Sequence, residues 1–104
     1  MGEIHLSVDD SEVTVRHGDE IVVRLPENGT TGHQWQVQEI EGTLEVTGSE
    51  FLPPDVLAPG AGGTRVLRLR PTKAGDGGGH LTLHLKQPWG GDVAEEYALR
   101  VTVE

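Results

Sequence analysis

An all-β, immunoglobulin-like antiparallel β-sandwich of seven or eight strands is the fold that this sequence predicts, and three observations predict it. Apolar residues alternate with polar ones almost from end to end, clusters of turn-forming residues interrupt the alternation at short intervals, and no window sustains a helical period. The alternating sets are Ile4, Leu6 and Val8; Val13 and Val15; Ile21, Val23 and Leu25; Trp35 with Val37; Leu44 with Val46; Leu67 with Leu69; Leu81, Leu83 and Leu85; and Tyr97, Leu99, Val101 and Val103. Successive strand residues point to opposite faces, so each set lines one side of a strand and turns toward a core. Between the sets stand Asp9-Asp10, His17-Gly18-Asp19, residues 26–32, Glu41-Gly42, and residues 53–63, 71–79 and 88–92, all rich in Gly, Pro, Asn or Asp. Such punctuation joins antiparallel strands, and nothing repeats at the longer period of a solenoid.

The length of 104 residues suits one domain, residues 1–104, with a core large enough to fold without staples. Cysteine is absent, which removes disulfides, thiolate metal sites and cysteine nucleophiles from consideration. With 17 acidic against 8 basic residues the net charge is −9, a balance that repels phosphate backbones and argues against a nucleic-acid partner. An acidic surface can also serve a basic partner; solubility is the simpler reading. No apolar stretch is long enough to span a bilayer, so no membrane role is expected. The start, Met1-Gly2-Glu3-Ile4-His5-Leu6, carries neither a basic region followed by an apolar run nor a myristoylation pattern. The chain is therefore expected in the cytoplasm, or in a secreted or periplasmic setting as a mature form whose leader has been removed. A monomer without cofactors is expected.

If every link reverses chain direction, the connections at residues 26–32, 52–63 and 87–94 emerge at one end of the sandwich and the others at the opposite end. These are also the segments richest in unusual residues, which makes that end the candidate working surface.

Each segment has a plain structural reading as well. In Pro26-Glu27-Asn28-Gly29-Thr30-Thr31-Gly32-His33 the Asn-Gly pair is a hairpin signal, and local physics alone favours a turn over a binding loop. Asn28-Gly29-Thr30 also matches a glycosylation triplet, a pattern frequent by chance. Pro59-Gly60-Ala61-Gly62-Gly63 either is a loose linker or lets backbone approach another surface without Cβ atoms in the way. In Gln87-Pro88-Trp89-Gly90-Gly91 the tryptophan has few sequence neighbours to bury it; it either projects as a binding anchor or folds back to cap the sandwich. Trp35, by contrast, opens an alternating strand and belongs to the core.

Catalysis finds no support. His80 and His84 share an outward strand face, yet four residues of strand separate them by about 13 Å, too far for one metal ion. Ser7, Ser11 and Ser49 lack a nucleophile elbow, and the glycine run before Thr64 lacks the Gly-Lys-Ser/Thr ending of a phosphate loop. Neither an enzymatic role nor a metal is expected.

In order and spacing, the three glycine- and tryptophan-bearing loops resemble the chagasin family of cysteine protease inhibitors, over nearly the whole chain. That family shows an Asn-Pro-Thr-Thr-Gly-aromatic loop, then Gly-x-Gly-Gly, then Arg-Pro-Trp; the matching residues here are Asn28-Gly29-Thr30-Thr31-Gly32-His33, Gly60-Ala61-Gly62-Gly63 and Gln87-Pro88-Trp89. Leu25-Pro26 before the first loop and Phe51-Leu52-Pro53-Pro54 before the second fit the same pattern. Three positions depart from it: Gly29 stands for Pro, His33 for an aromatic residue and Gln87 for Arg. Replacing Pro by Gly raises the entropy of the free loop by about 0.4–1 kcal/mol. The resemblance implies reversible inhibition of a papain-like cysteine protease by occlusion, with residues 30–32 as a wedge against the catalytic cysteine and the outer loops braced on the cleft walls. An immunoglobulin-like binding or adhesion module without protease inhibition is the competing expectation.

Overall fold

The computed structural model describes residues 2–27, 32–53, 62–72 and 77–104. Eight strands follow in order: β1 (Glu3–Ser7), β2 (Glu12–Val15), β3 (Glu20–Glu27), β4 (Gln34–Gly42), β5 (Leu44–Leu52), β6 (Gly63–Pro71), β7 (Gly77–Lys86) and β8 (Glu95–Val103), with no helix among the described residues. They form two four-stranded sheets, ordered β1-β3-β6-β5 and β2-β8-β7-β4, so the predicted sandwich is the fold observed.

The amino-terminal stretch is two strands, one in each sheet. β1 lies parallel to β3, with Glu3 level with Glu20 and Ser7 with Arg24. The chain turns at residues 8–11, where the Asp10 amide donates to the Ser7 carbonyl at 3.0 Å and the Ser7 amide to the Asp10 carboxylate at 2.8 Å. It then crosses to the other sheet, where β2 runs parallel to β8. The remaining ladders are antiparallel. Both parallel pairings arise because the chain visits the opposite sheet between the two partners; successive strands still run in opposite directions.

The inward faces build one core. Ile21, Val23 and Leu25 of β3, Leu67 and Leu69 of β6, Leu81 and Leu83 of β7, and Tyr97, Leu99, Val101 and Val103 of β8 are buried together, with Val15, Trp35 and Leu44 closing its margins. Each aliphatic side chain so buried contributes about 1.5–3 kcal/mol by leaving water. Trp35 has the core position expected of it. Val22 and Val66 are buried outside this cluster, on the other face of β3 and β6, where Arg68 and Arg24 stand beside them in register. Arginine stems there cover apolar surface while their heads pair outward, Arg68 with Glu20 at 2.8 Å.

Three of the expected inward residues are exposed instead: Val8, Val37 and Val46. Val8 lies beyond the end of β1, in the turn. The other two precede β-bulges, between Val37 and Glu39 on β4 and between Val46 and Gly48 on β5. One extra residue inverts the two-residue period, so Ile40 rather than a residue in phase with Val37 packs against the core. Both bulges fall on strands at a sheet edge, where they interrupt a ladder that another chain could otherwise extend.

The β1–β2 turn is pinned to the second sheet by the Tyr97 hydroxyl, which donates to the Asp10 carbonyl at 2.7 Å. Burial first, and the negative charge of Asp10 second, push the Tyr97 phenol up to about 12 from its usual 10.0.

Candidate functional site

The ends of β3, β5 and β7 and the starts of β4, β6 and β8 lie together at one end of the sandwich. In register, Glu27 meets Gly63, Leu52 meets Thr64, Gln34 meets Lys86 and Leu85 meets Glu95. The two sheets are stitched there by Trp35, whose amide donates to Glu27 Oε1 at 2.7 Å and whose indole Nε1 donates to the Pro26 carbonyl at 2.8 Å. The connections 28–33, 53–62 and 87–94 therefore leave from a common platform. The turn at 8–11 does not reach it, because β1 stops level with Arg24.

Beneath this platform is a buried acid. Glu27 is 3% exposed, and its carboxylate accepts from the Trp35 amide, from Arg65 Nε at 3.1 Å and from Arg65 Nη2 at 2.8 Å. A carboxylate out of water needs such saturation, and the two-pronged arginine supplies both charge and geometry. Arg65 in turn lies 5.7 Å from the centre of the Phe51 ring and reaches Ser49 Oγ at 3.4 Å.

Gly32 and Trp89 meet across the first and third loops. Gly32 has φ +77°, which favours a bare α-carbon, and a Cβ built on it would stand 2.8 Å from Trp89 Cη2 and push the exposed indole aside. Trp89 itself is 74% exposed and does not cap the core. Its turn is closed by the Gly90 amide donating to the Gln87 carbonyl at 3.1 Å, with Pro88 at the position where a fixed φ favours a turn. Below, the Ala94 amide donates to the Leu85 carbonyl at 2.8 Å and shuts the base of the loop.

The second loop is visible at its carboxyl-terminal stem. Gly62 is exposed, whereas Gly63 is buried as the first residue of β6, with the Phe51 ring and the Leu52 carbonyl packed where its side chain would be. His33 and Gly62, with Pro26, Glu27, Leu85, Ala94 and Glu95, line an open hollow of about 370 Å³ between the stems. Of the expected site residues, Gly32, His33, Gly62, Gly63, Gln87, Pro88 and Trp89 are thus gathered at this end; Asn28, Gly29, Thr30, Thr31, Gly60 and Ala61 lie outside the described residues.

Sequence reasoning gave no site role to Glu27, Arg65 or Phe51, naming Glu27 and Phe51 only within or beside the loops. The first two carried a signal: Glu27 continues the inward phase of Ile21, Val23 and Leu25, and Arg65 that of Leu67 and Leu69, so opposite charges end two adjacent inward rows. It also overlooked a cluster remote from the loops. Glu39, Glu41 and His80 hold potential ligand atoms within 4.8 Å of one another on the outer face of the second sheet. His80 Nε2 lies 2.7 Å from Glu39 Oε1 and 3.6 Å from Glu41 Oε2, the geometry of an exposed ion pair.

Comparison with known proteins places these features in context. The family model for chagasin family peptidase inhibitors matches residues 14–103. The cysteine protease inhibitor EhICP2 of Entamoeba histolytica superposes with a TM-score of 0.82 at 20% identity, covering 100% of this chain and 97% of its own. Amebosin gives 0.80 at 26% identity, covering 98% of each chain. PbICP-C, solved in complex with falcipain-2, gives 0.58 at 16% identity over 100% of both chains. No curated protein sequence matches significantly.

Proposed function

Because the chain belongs to the chagasin family of peptidase inhibitors, we propose that it is a reversible, occluding inhibitor of papain-like cysteine proteases, acting as one domain and one copy through three loops at one end of the sandwich. The observation that carries this reading is the pairing of Gly32 with Trp89 on the shared platform, which holds a largely exposed indole in a closed turn beside the first loop. Exposed tryptophan in a rigid setting is the kind of residue that dominates binding energy at protein interfaces.

In the proposed complex Thr30, Thr31 and Gly32, with Asn28, Gly29 and His33 around them, enter the protease cleft as a wedge. Gly60, Ala61, Gly62 and Gly63 supply backbone for one cleft wall, with Gly63 seating the loop on Phe51. Gln87, Pro88 and Trp89 brace the other wall. Stems already bonded to one another need no ordering of their own on binding, which favours association. The cysteine protease inhibitor EhICP2 and the complex of PbICP-C with falcipain-2 support the same partner class.

The direct test is steady-state inhibition of papain and cathepsin-L-type enzymes with a small peptide substrate. Competitive, reversible inhibition at micromolar protein or below is expected. Full protease activity at that concentration, with the inhibitor intact afterwards, would remove the reading.

A further inference from the structure

The acceptor that closes the first loop is a side chain, and it serves both sheets. β4 is the edge strand of its sheet, and among the described residues β7 is its one paired neighbour. The Trp35 amide faces away from that ladder and finds Glu27 Oε1, on the last residue of β3 in the other sheet. Sheets of a sandwich stand about 10 Å apart, so a bond from a side chain of one to the backbone of the other needs a reach like that of glutamate. Arg65 carries the link onward to β5 through Phe51 and Ser49, while Gly63, opposite Glu27, begins β6. One carboxylate is thus connected, directly or through Arg65, to both stems of the 28–33 loop and both stems of the 53–62 loop.

We propose that Glu27 and Arg65 are a positioning pair that fixes the stems of the first loop against those of the second and so sets inhibitory affinity without touching the protease; the affinity part rests on the inhibitor reading above. Glu27 is too deeply buried to meet a partner itself. Stability alone is a poor reason for the pair, since apolar residues of similar volume commonly replace a buried ion pair without loss. What apolar residues cannot do is accept the Trp35 amide.

That difference supplies the test. In the full chain, Glu27→Leu with Arg65→Met removes both charges together, and Glu27→Gln removes the charge but keeps an acceptor oxygen. The inhibition constant for papain, the thermal midpoint and amide hydrogen exchange at Trp35 are measured for each. The double variant is expected to melt modestly below wild type, since the buried Trp35 amide loses its acceptor, to exchange that amide faster, and to inhibit about tenfold or more weakly. Wild-type inhibition alongside faster Trp35 exchange would overturn the proposal, as would an unchanged Trp35 exchange rate. Should the double variant fail to fold, Glu27→Gln decides. Slow Trp35 exchange with nearly wild-type inhibition, despite a lower melting temperature, is expected; a large loss of inhibition with that amide still protected overturns it. If the wild-type protein does not inhibit papain, the inhibitor reading falls, and Trp35 exchange alone judges whether Glu27 holds the stems.

Discussion

The α-carbon of Gly32 lies beneath the indole of Trp89, close enough that a Cβ on Gly32 would press within 2.8 Å of the ring. The contact joins the first and third loops, and it separates two substitutions that would otherwise look alike. Gly32→Ala meets both the indole and a backbone angle of +77° that L residues rarely adopt, so a loss of about 1–2 kcal/mol is expected in urea unfolding.

Trp89→Ala takes away an exposed ring and leaves the core intact. Its thermal midpoint is expected to stay within a few degrees of wild type, while inhibition of papain falls by about thirtyfold or more, the loss of a binding hot spot. A large drop in melting temperature would mean that the indole is chiefly structural.

Removing only one member of the buried ion pair strands the other. Arg65→Met leaves the Glu27 carboxylate, 3% exposed, with the Trp35 amide as its sole remaining donor among those described. A cost of about 3–5 kcal/mol is expected, read as a lower urea midpoint at unchanged slope. A loss below about 1 kcal/mol would show that the carboxylate regains water at little cost.

Alkaline pH acts through Tyr97. Its phenol is pushed up to about 12, above the 10.0 of an unfolded chain, so the folded state holds the proton more tightly. The associated stability is complete below pH 10 and is lost as pH rises to 12, a decline of about 2–3 kcal/mol if the whole shift is expressed. Tyr97→Phe gives up the bond to the Asp10 carbonyl, about 1 kcal/mol at neutral pH, and loses this alkaline component. The two unfolding curves, measured from pH 8 to 12, should therefore converge or cross. A constant gap would contradict the assignment.

The turn between β4 and β5 admits no side chain at its first residue. Gly42 has φ +85°, and its missing Cβ would collide with the Gly78 carbonyl and lie 2.6 Å from the α-carbon of Gly79. Gly42→Ala is expected to cost about 2 kcal/mol or more, since the obstruction is backbone that cannot rotate aside. Equal thermal midpoints for Gly42→Ala and wild type would count against this packing.

Much of this was legible before any coordinates. Period-two rows such as Tyr97, Leu99, Val101 and Val103 are direct statements about a strand face, and eight of them separated by turns leave few alternatives to a sandwich. The bulges were not legible, because Val37 and Val46 are apolar and in phase up to the point where one inserted residue reverses the phase. At the loops, the sequence disclosed the unusual residues and not their supports. Glu27 looked like part of a polar turn, and only its place at the end of an inward row distinguishes it from an exposed acid such as Glu12. The meeting of Gly32 with Trp89 joins residues far apart in the chain, and nothing local encodes it.

Strict reversal of direction from strand to strand has a practical corollary for handling the molecule. Glu3, at the start of β1, is level with Glu20, and Val103, at the end of β8, is level with Gly77 and Val15; all lie at the pole opposite Glu27, Gly32 and Trp89. An anchor, dye or fusion attached near Gly2 or Glu104 would hold the protein by its foot. The loop-bearing pole would then face outward from a sensor surface or bead from either of these two positions, and capture of a protease by the two attachments should be equivalent.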